Sequence, residues 1–119
     1  MKQGMSRAQA KNSRVVLVTC PSLGLARKIA GVVVRRRLAA CVNVARSPVE
    51  SFYTWKGKLK SAREHLLVIK TTTKRLAELE REVKRLHTYD VPEFIALSIT
   101  DGSKAYLSWL RESVAGHSR

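Results

Sequence analysis

At 119 residues the chain has room for one domain, long enough to bury a core without disulfide or metal staples. Its formal charge of +14 implies attraction to something anionic (nucleic acid, a membrane surface or an acidic protein) and says nothing of fold. No apolar run reaches the roughly 18 residues a membrane span needs, and the first 14 residues contain no apolar stretch of a signal peptide.

The charge is lopsided: residues 1–49 hold no Asp or Glu, and the first acid is Glu50. Met1–Arg14 has the composition of a basic, acid-free transit peptide but is short for one, so a disordered basic tail over residues 1–13 is expected, followed by a domain over 14–119. The two cysteines, Cys20 and Cys41, show no Cys-x-x-Cys spacing, so free thiols in a reducing, cytoplasmic setting are expected.

Arg14-Val15-Val16-Leu17-Val18-Thr19-Cys20 is an unbroken β-branched and apolar run, the pattern of a strand buried on both faces. Pro21 breaks it, and Ser22 is placed to cap a helix over residues 23–38, where Leu25, Ile29, Val32 and Val33 recur at helical spacing. Arg35-Arg36-Arg37 falls in the predicted last turn, where cations complement the negative helix end. A second strand starts near Ala39, is interrupted at Ser47-Pro48, and resumes through Phe52 and Trp55. Lys56-Gly57-Lys58 is the predicted turn, with residues 59–64 sharing the reversal, and residues 66–71 form a third, central strand.

Thr72 or Thr73 is expected to cap a helix over residues 74–87, with Leu76, Leu79, Val83 and Leu86 as its apolar stripe and Glu80-Lys84 as a favourable i,i+4 pair. An irregular connector, residues 87–93, leads to an alternating fourth strand over 94–99. Asp101-Gly102 then turns the chain, Ser103 caps a last helix over 104–114, and Gly116 stops it. The order β-α-β-β-α-β plus a terminal helix predicts an α+β, ferredoxin-like sandwich with the first and third strands central. The second and third strands make a hairpin too long for one small domain to cover. Its edge calls for pairing with another chain, so an oligomer is expected.

Fold alone does not give function. An RNA-recognition domain of this topology stacks bases on aromatics of its first and third strands; here both lack aromatics, so no specific nucleic-acid recognition is expected. The loop Pro21-Ser22-Leu23-Gly24 holds one glycine and is no phosphate-binding loop. The soft and borderline metal ligands are Cys20, Cys41, His65 and His87. They are too few in one chain for a zinc site, but an oligomer would repeat Cys41 in every copy. Each also reads as structural: Cys41 as a small buried hydrophobe, His87 as a helix-end cation. Trp55, Lys70, Tyr89 and Glu93 could line a polar cleft or anchor an interface, and the interface is favoured. His87 with Glu93 is a conceivable acid–base pair, but no ordered triad, paired carboxylates or activated nucleophile stands out, and no enzyme is expected.

The segments Val16-Leu17-Val18-Thr19-Cys20-Pro21, Leu38-Ala39-Ala40-Cys41-Val42-Asn43, Tyr53-Thr54-Trp55-Lys56-Gly57-Lys58, His87-Thr88-Tyr89-Asp90-Val91-Pro92-Glu93 and Tyr106-Leu107-Ser108-Trp109-Leu110 resemble, in order, the CutA divalent-cation tolerance family. The resemblance implies a ferredoxin-like subunit in a tight homotrimer like that of the PII signalling proteins, with no established reaction and no required cofactor. It also implies an association with tolerance of copper and other divalent cations; some members bind copper. Copper binding described in the family uses a first-strand cysteine and two adjacent histidines at the connector. Here Val18 stands in that cysteine's place, with Cys20 beyond it, and Leu86 precedes His87. A PII-like module that takes a small anionic ligand or a partner protein in its intersubunit clefts is the alternative the resemblance allows.

Overall fold

In a computed structural model, residues 10–116 are described. Strand β1 (Ser13–Cys20) leads into helix α1 (Leu23–Arg35), then strands β2 (Cys41–Val44), β3 (Val49–Trp55) and β4 (Lys58–Thr72). A 3-10 turn (Thr73–Arg75) opens helix α2 (Leu76–Leu86), followed by strand β5 (Ile95–Ser98) and helix α3 (Lys104–Ala115). The sheet is antiparallel in the order β2-β4-β1-β5, with β3 also paired to β4. This is the ferredoxin-like arrangement, and the two long apolar runs hold its centre as expected.

The pleat sends alternate side chains to opposite faces of the sheet. Val16, Val18, Leu67 and Ile69 face α1 and α2 and are fully buried with Ile29, Val33, Leu79 and Val83. On the other face, Val15, Leu17, Leu66 and Val68 are only half-buried. Their neighbours Ile95 and Leu97 on β5 are 47% and 46% exposed. Helix α3 covers one part of this face, where Leu107, Leu110 and Val114 pack with Ala10, Ala40 and Cys41. The central strands are therefore not buried on both faces within one chain.

Strand β4 runs 15 residues, and its first half pairs only with β3. The pair makes an arm that stretches the molecule to 54 × 32 × 24 Å, and the radius of gyration is 15.5 Å. A compact domain of this length would have about 13.5 Å. Lys56 (φ 52°) and Gly57 (φ 77°) both take positive φ at the tip, which makes a tight hairpin turn matched to strand twist. Reversal needs only these two residues, so residues 59–64, read from sequence as part of the turn, are strand instead. The break at Ser47-Pro48 divides the second predicted strand into β2 and β3.

Ser22 and Ser103 cap their helices, each hydroxyl accepting from the backbone N–H three residues on, at 3.1 and 3.2 Å. Helix α1 ends at Arg35, three residues earlier than its periodicity predicts. Arg37 turns left-handed, its N–H donates to Val34 and that of Leu38 to Val33, so buried Leu38 closes the helix end. Neither Thr72 nor Arg75 caps with its side chain; the Thr73 N–H instead donates to the Asn12 carbonyl at 2.8 Å. Of the expected tail, residues 1–9 lie outside the described residues, and Ala10 is fully buried against α3.

Candidate functional site

At the C-terminal end of β1 the arm leaves the sheet, and the connector over residues 88–93 crosses beside it. His87 fixes that connector. Its backbone N–H ends α2 on Val83 at 2.9 Å. Its ring lies 2.8 Å (Nε2) from the Thr19 carbonyl, and Nδ1 is 3.1 Å from the Tyr89 backbone nitrogen. Because the Tyr89 N–H donates to Nδ1, Nε2 must carry the proton and donate to Thr19. The ring is thus neutral with both nitrogens occupied. It is not the helix-end cation its position suggested, and it has no free nitrogen for a metal or for proton exchange with Glu93.

The Tyr89 ring packs on His87 at 4.8 Å, and its hydroxyl donates to Glu64 Oε2 at 2.7 Å. Glu64 lies on β4 where the sheet becomes the arm, and it is only 8% exposed. No lysine, arginine or histidine among the described residues stands within ion-pair reach of it. Glu64, Tyr89 and Glu93, with Tyr53 and Trp55 of β3, line an open cleft of about 750 Å³. Burial, and then the Glu64 carboxylate beside it, drives the Tyr89 phenol well above its ordinary range. Burial, and then the same carboxylate, raises Glu93. Cys20, wholly buried at the end of β1, is pushed up to about 11 by burial and then by Glu64, so its thiol stays protonated near neutrality. A protonated, buried thiol is a poor metal ligand.

The remaining expected residues lie elsewhere. Lys70 is not in the cleft with Trp55, Tyr89 and Glu93. It sits mid-sheet opposite Cys41, its ammonium 4.0 Å from Cys41 Sγ and donating to the Asn43 side chain. Partial burial, and then the nearby Cys41, raises the Tyr106 phenol. Cys41 and His87 are not brought together: Lys70 pairs with Val15 and Leu66 with Thr19, four residues or about 13 Å farther along β1. His65 bonds the Ala45 carbonyl through Nδ1 at 2.8 Å. Among the described residues no three His, Cys, Asp or Glu side chains are grouped to hold a metal ion. Sequence reasoning missed Glu64, although its alternation with Leu66 and Val68 places a carboxylate on the same sheet face as those apolar residues.

A family model described as CutA1 divalent ion tolerance protein matches residues 14–113. The chain is 48% identical to the divalent-cation tolerance protein CutA of Thermus thermophilus over 83% of its length and 95% of that protein's. It is also 48% identical to the chloroplastic protein CutA of Arabidopsis thaliana, over 85% of this chain and 55% of that longer one. The solved Thermus thermophilus structure superposes with a TM-score of 0.83, covering 85% of this chain and 97% of that one. The chain therefore belongs to the CutA1 divalent ion tolerance family.

Proposed function

We propose that the chain acts in divalent-cation tolerance as a non-catalytic homotrimer. The uncovered sheet face carries this reading: Val15, Leu17, Leu66, Val68, Ile95 and Leu97 make one apolar surface that the chain's own helices leave partly open. A second copy of the same surface is a fitting cover, since closed symmetric assembly is the usual outcome for such a face. The arm supports it too, with Phe52 65% and Leu59 72% exposed. Copper, or another divalent cation, would be held between copies through Cys41, which lies on the edge strand β2 and is only half-buried. Cys20 and His87 would take no part, for the reasons of protonation and hydrogen bonding given above. Free Cys20 and Cys41 fit a reducing, cytoplasmic compartment. A PII-like role with a small anionic ligand draws no support from the cleft, which is lined by carboxylates and by no lysine or arginine among the described residues.

Light scattering on metal-free protein with copper titration of the same sample, under reducing anaerobic conditions, tests this. A mass of three chains with saturable copper binding, lost in Cys41→Ser, is expected. A monomer would end the assembly reading. A trimer that binds no copper would make tolerance a consequence of something other than direct sequestration.

A further inference from the structure

We propose that the outer face of the helix layer, α1 with α2, is a sequence-independent docking surface for duplex DNA, held through the phosphate backbone. This goes beyond the tolerance reading and needs no metal. It is also compatible with the proposed assembly. The two helices cover one face of the sheet, and the apolar surface given to copies of the chain lies on the other.

The basic excess is concentrated on this layer. Residues 23–37 and 73–86 hold ten Lys and Arg against three Glu, and α1 has no acid at all. On α2, Glu78, Glu80 and Glu82 are tied to Arg36, Arg75, Lys84 and Arg85 at 2.7–3.6 Å. Arg27, Lys28, Arg35 and Arg81 are exposed and have no Asp or Glu in ion-pair reach among the described residues. The fold gathers these four. Lys28 and Arg35 share one side of α1, because seven residues make nearly two turns. The Arg35 guanidinium folds back over Gly31, 3.4 Å from where a Cβ would stand, and so reaches toward Lys28 and its neighbour Arg27. Arg36 bonds both Glu78 and Glu82, which brings Arg81, between them on α2, beside the last turn of α1.

A ridge of cations without acids fits a regular array of anions. Duplex DNA carries one charge per roughly 1.7 Å of its axis and releases condensed counterions when cations replace them. Three of the four cations are arginines, whose planar fork matches two phosphate oxygens. The wide major groove of B-form DNA admits a helix and so brings both flanking backbones within reach, whereas that of duplex RNA is narrow. A membrane surface fits less well. Interfacial binding needs an apolar face to insert, and Ala26, Ile29 and Val33 of α1 are buried against the sheet. A single strand also fits less well, since such sites stack bases on aromatics and neither helix carries one.

The test is fluorescence anisotropy of the intact protein on a labelled DNA duplex, with light scattering and circular dichroism on the same samples. Equal affinity for two unrelated sequences is expected. Four phosphate contacts predict a fall of roughly a hundredfold between about 50 and 200 mM salt. Arg27→Ala/Lys28→Ala and Arg35→Ala/Arg81→Ala should each weaken binding about tenfold and flatten the logarithmic salt slope by about 2. Lys60→Ala/Lys104→Ala removes the same charge away from these helices and should leave the slope in place. Equal losses in all three variants would reduce the effect to net charge and overturn the proposal. So would no binding at the lower salt, tighter binding of an RNA duplex of the same length, or equal binding to phosphatidylserine vesicles. DNA binding retained by protein with the mass of one chain would count against the proposed assembly alone.

Discussion

Glu82 lies between two arginines on α2 and ties that helix to the end of α1. Arg85 grips it through Nε at 2.9 Å and Nη2 at 2.7 Å, and Arg36 reaches it at 2.9 Å. These bonds, the Arg85 hydrogen bond foremost, pull its carboxyl from an ordinary 4.5 down to about 2. A folded-state value below the unfolded one means stability that is complete above pH 4.5 and lost as pH falls toward 2. Glu82→Gln should lower the melting temperature at pH 7 by ~4 °C, about 1 kcal/mol, because both arginines remain partly solvated. The gap to the parent should shrink steadily between pH 4.5 and 3. Melting curves across that range check it, and a gap independent of pH would remove the ion pairs as its cause. The sequence reading of Arg35-Arg36-Arg37 as helix-end cations missed this bond, since Arg36 and Glu82 are far apart in the chain and only tertiary packing joins them. It missed the neutral state of His87 for a related reason: the Thr19 carbonyl that fixes the tautomer belongs to another element.

At the scale of elements, local signals were legible where the residue itself carries the constraint. Ser22, Ser103 and the Lys56-Gly57 turn all act as their chemistry predicts. The end of α1 was not legible, because an arginine stands where the left-handed position would favour glycine. Arg37 has φ 59°, and a non-glycine residue there costs roughly 1 kcal/mol. Arg37→Gly should therefore raise the melting temperature by ~2–4 °C at fixed protein concentration, part of the gain being offset by the extra freedom of glycine in the unfolded chain. Thermal unfolding of the two proteins side by side settles it; a lower melting temperature would mean that the Arg37 side chain, which lies against Gly116, contributes more than the strain costs. The length of β4 was also hidden. Residues 58–63 are mostly polar and, Ala62 apart, exposed, without the alternation that marks a half-buried strand. They are strand because β3 pairs with them, not because a core demands it.

For the whole molecule, the two uninterrupted apolar strands and the one-sided burial of their side chains belong together. The sequence pattern of β1 and of residues 66–71 demands cover on both faces, yet one chain covers one face and part of the other. The cleft was less visible than the fold because it is assembled from distant pieces: Glu64 from β4, Trp55 from β3, and Tyr89 and Glu93 from the connector. If copies of the chain complete the sheet face, a charge placed on it should block assembly while sparing the subunit. Leu97 suits this because it is 46% exposed on β5, so its replacement leaves the core around Val16 and Ile69 untouched. Leu97→Glu would then desolvate a carboxylate in an apolar contact in every copy, a penalty of about 2 kcal/mol or more at each. The expected outcome is a fall in light-scattering mass from three chains to one at low micromolar concentration, with the circular dichroism of the folded subunit retained. A full-sized assembly in Leu97→Glu would mean that this face is not the contact, and would shift the search to the free edge of the β3–β4 arm and its exposed Phe52 and Leu59.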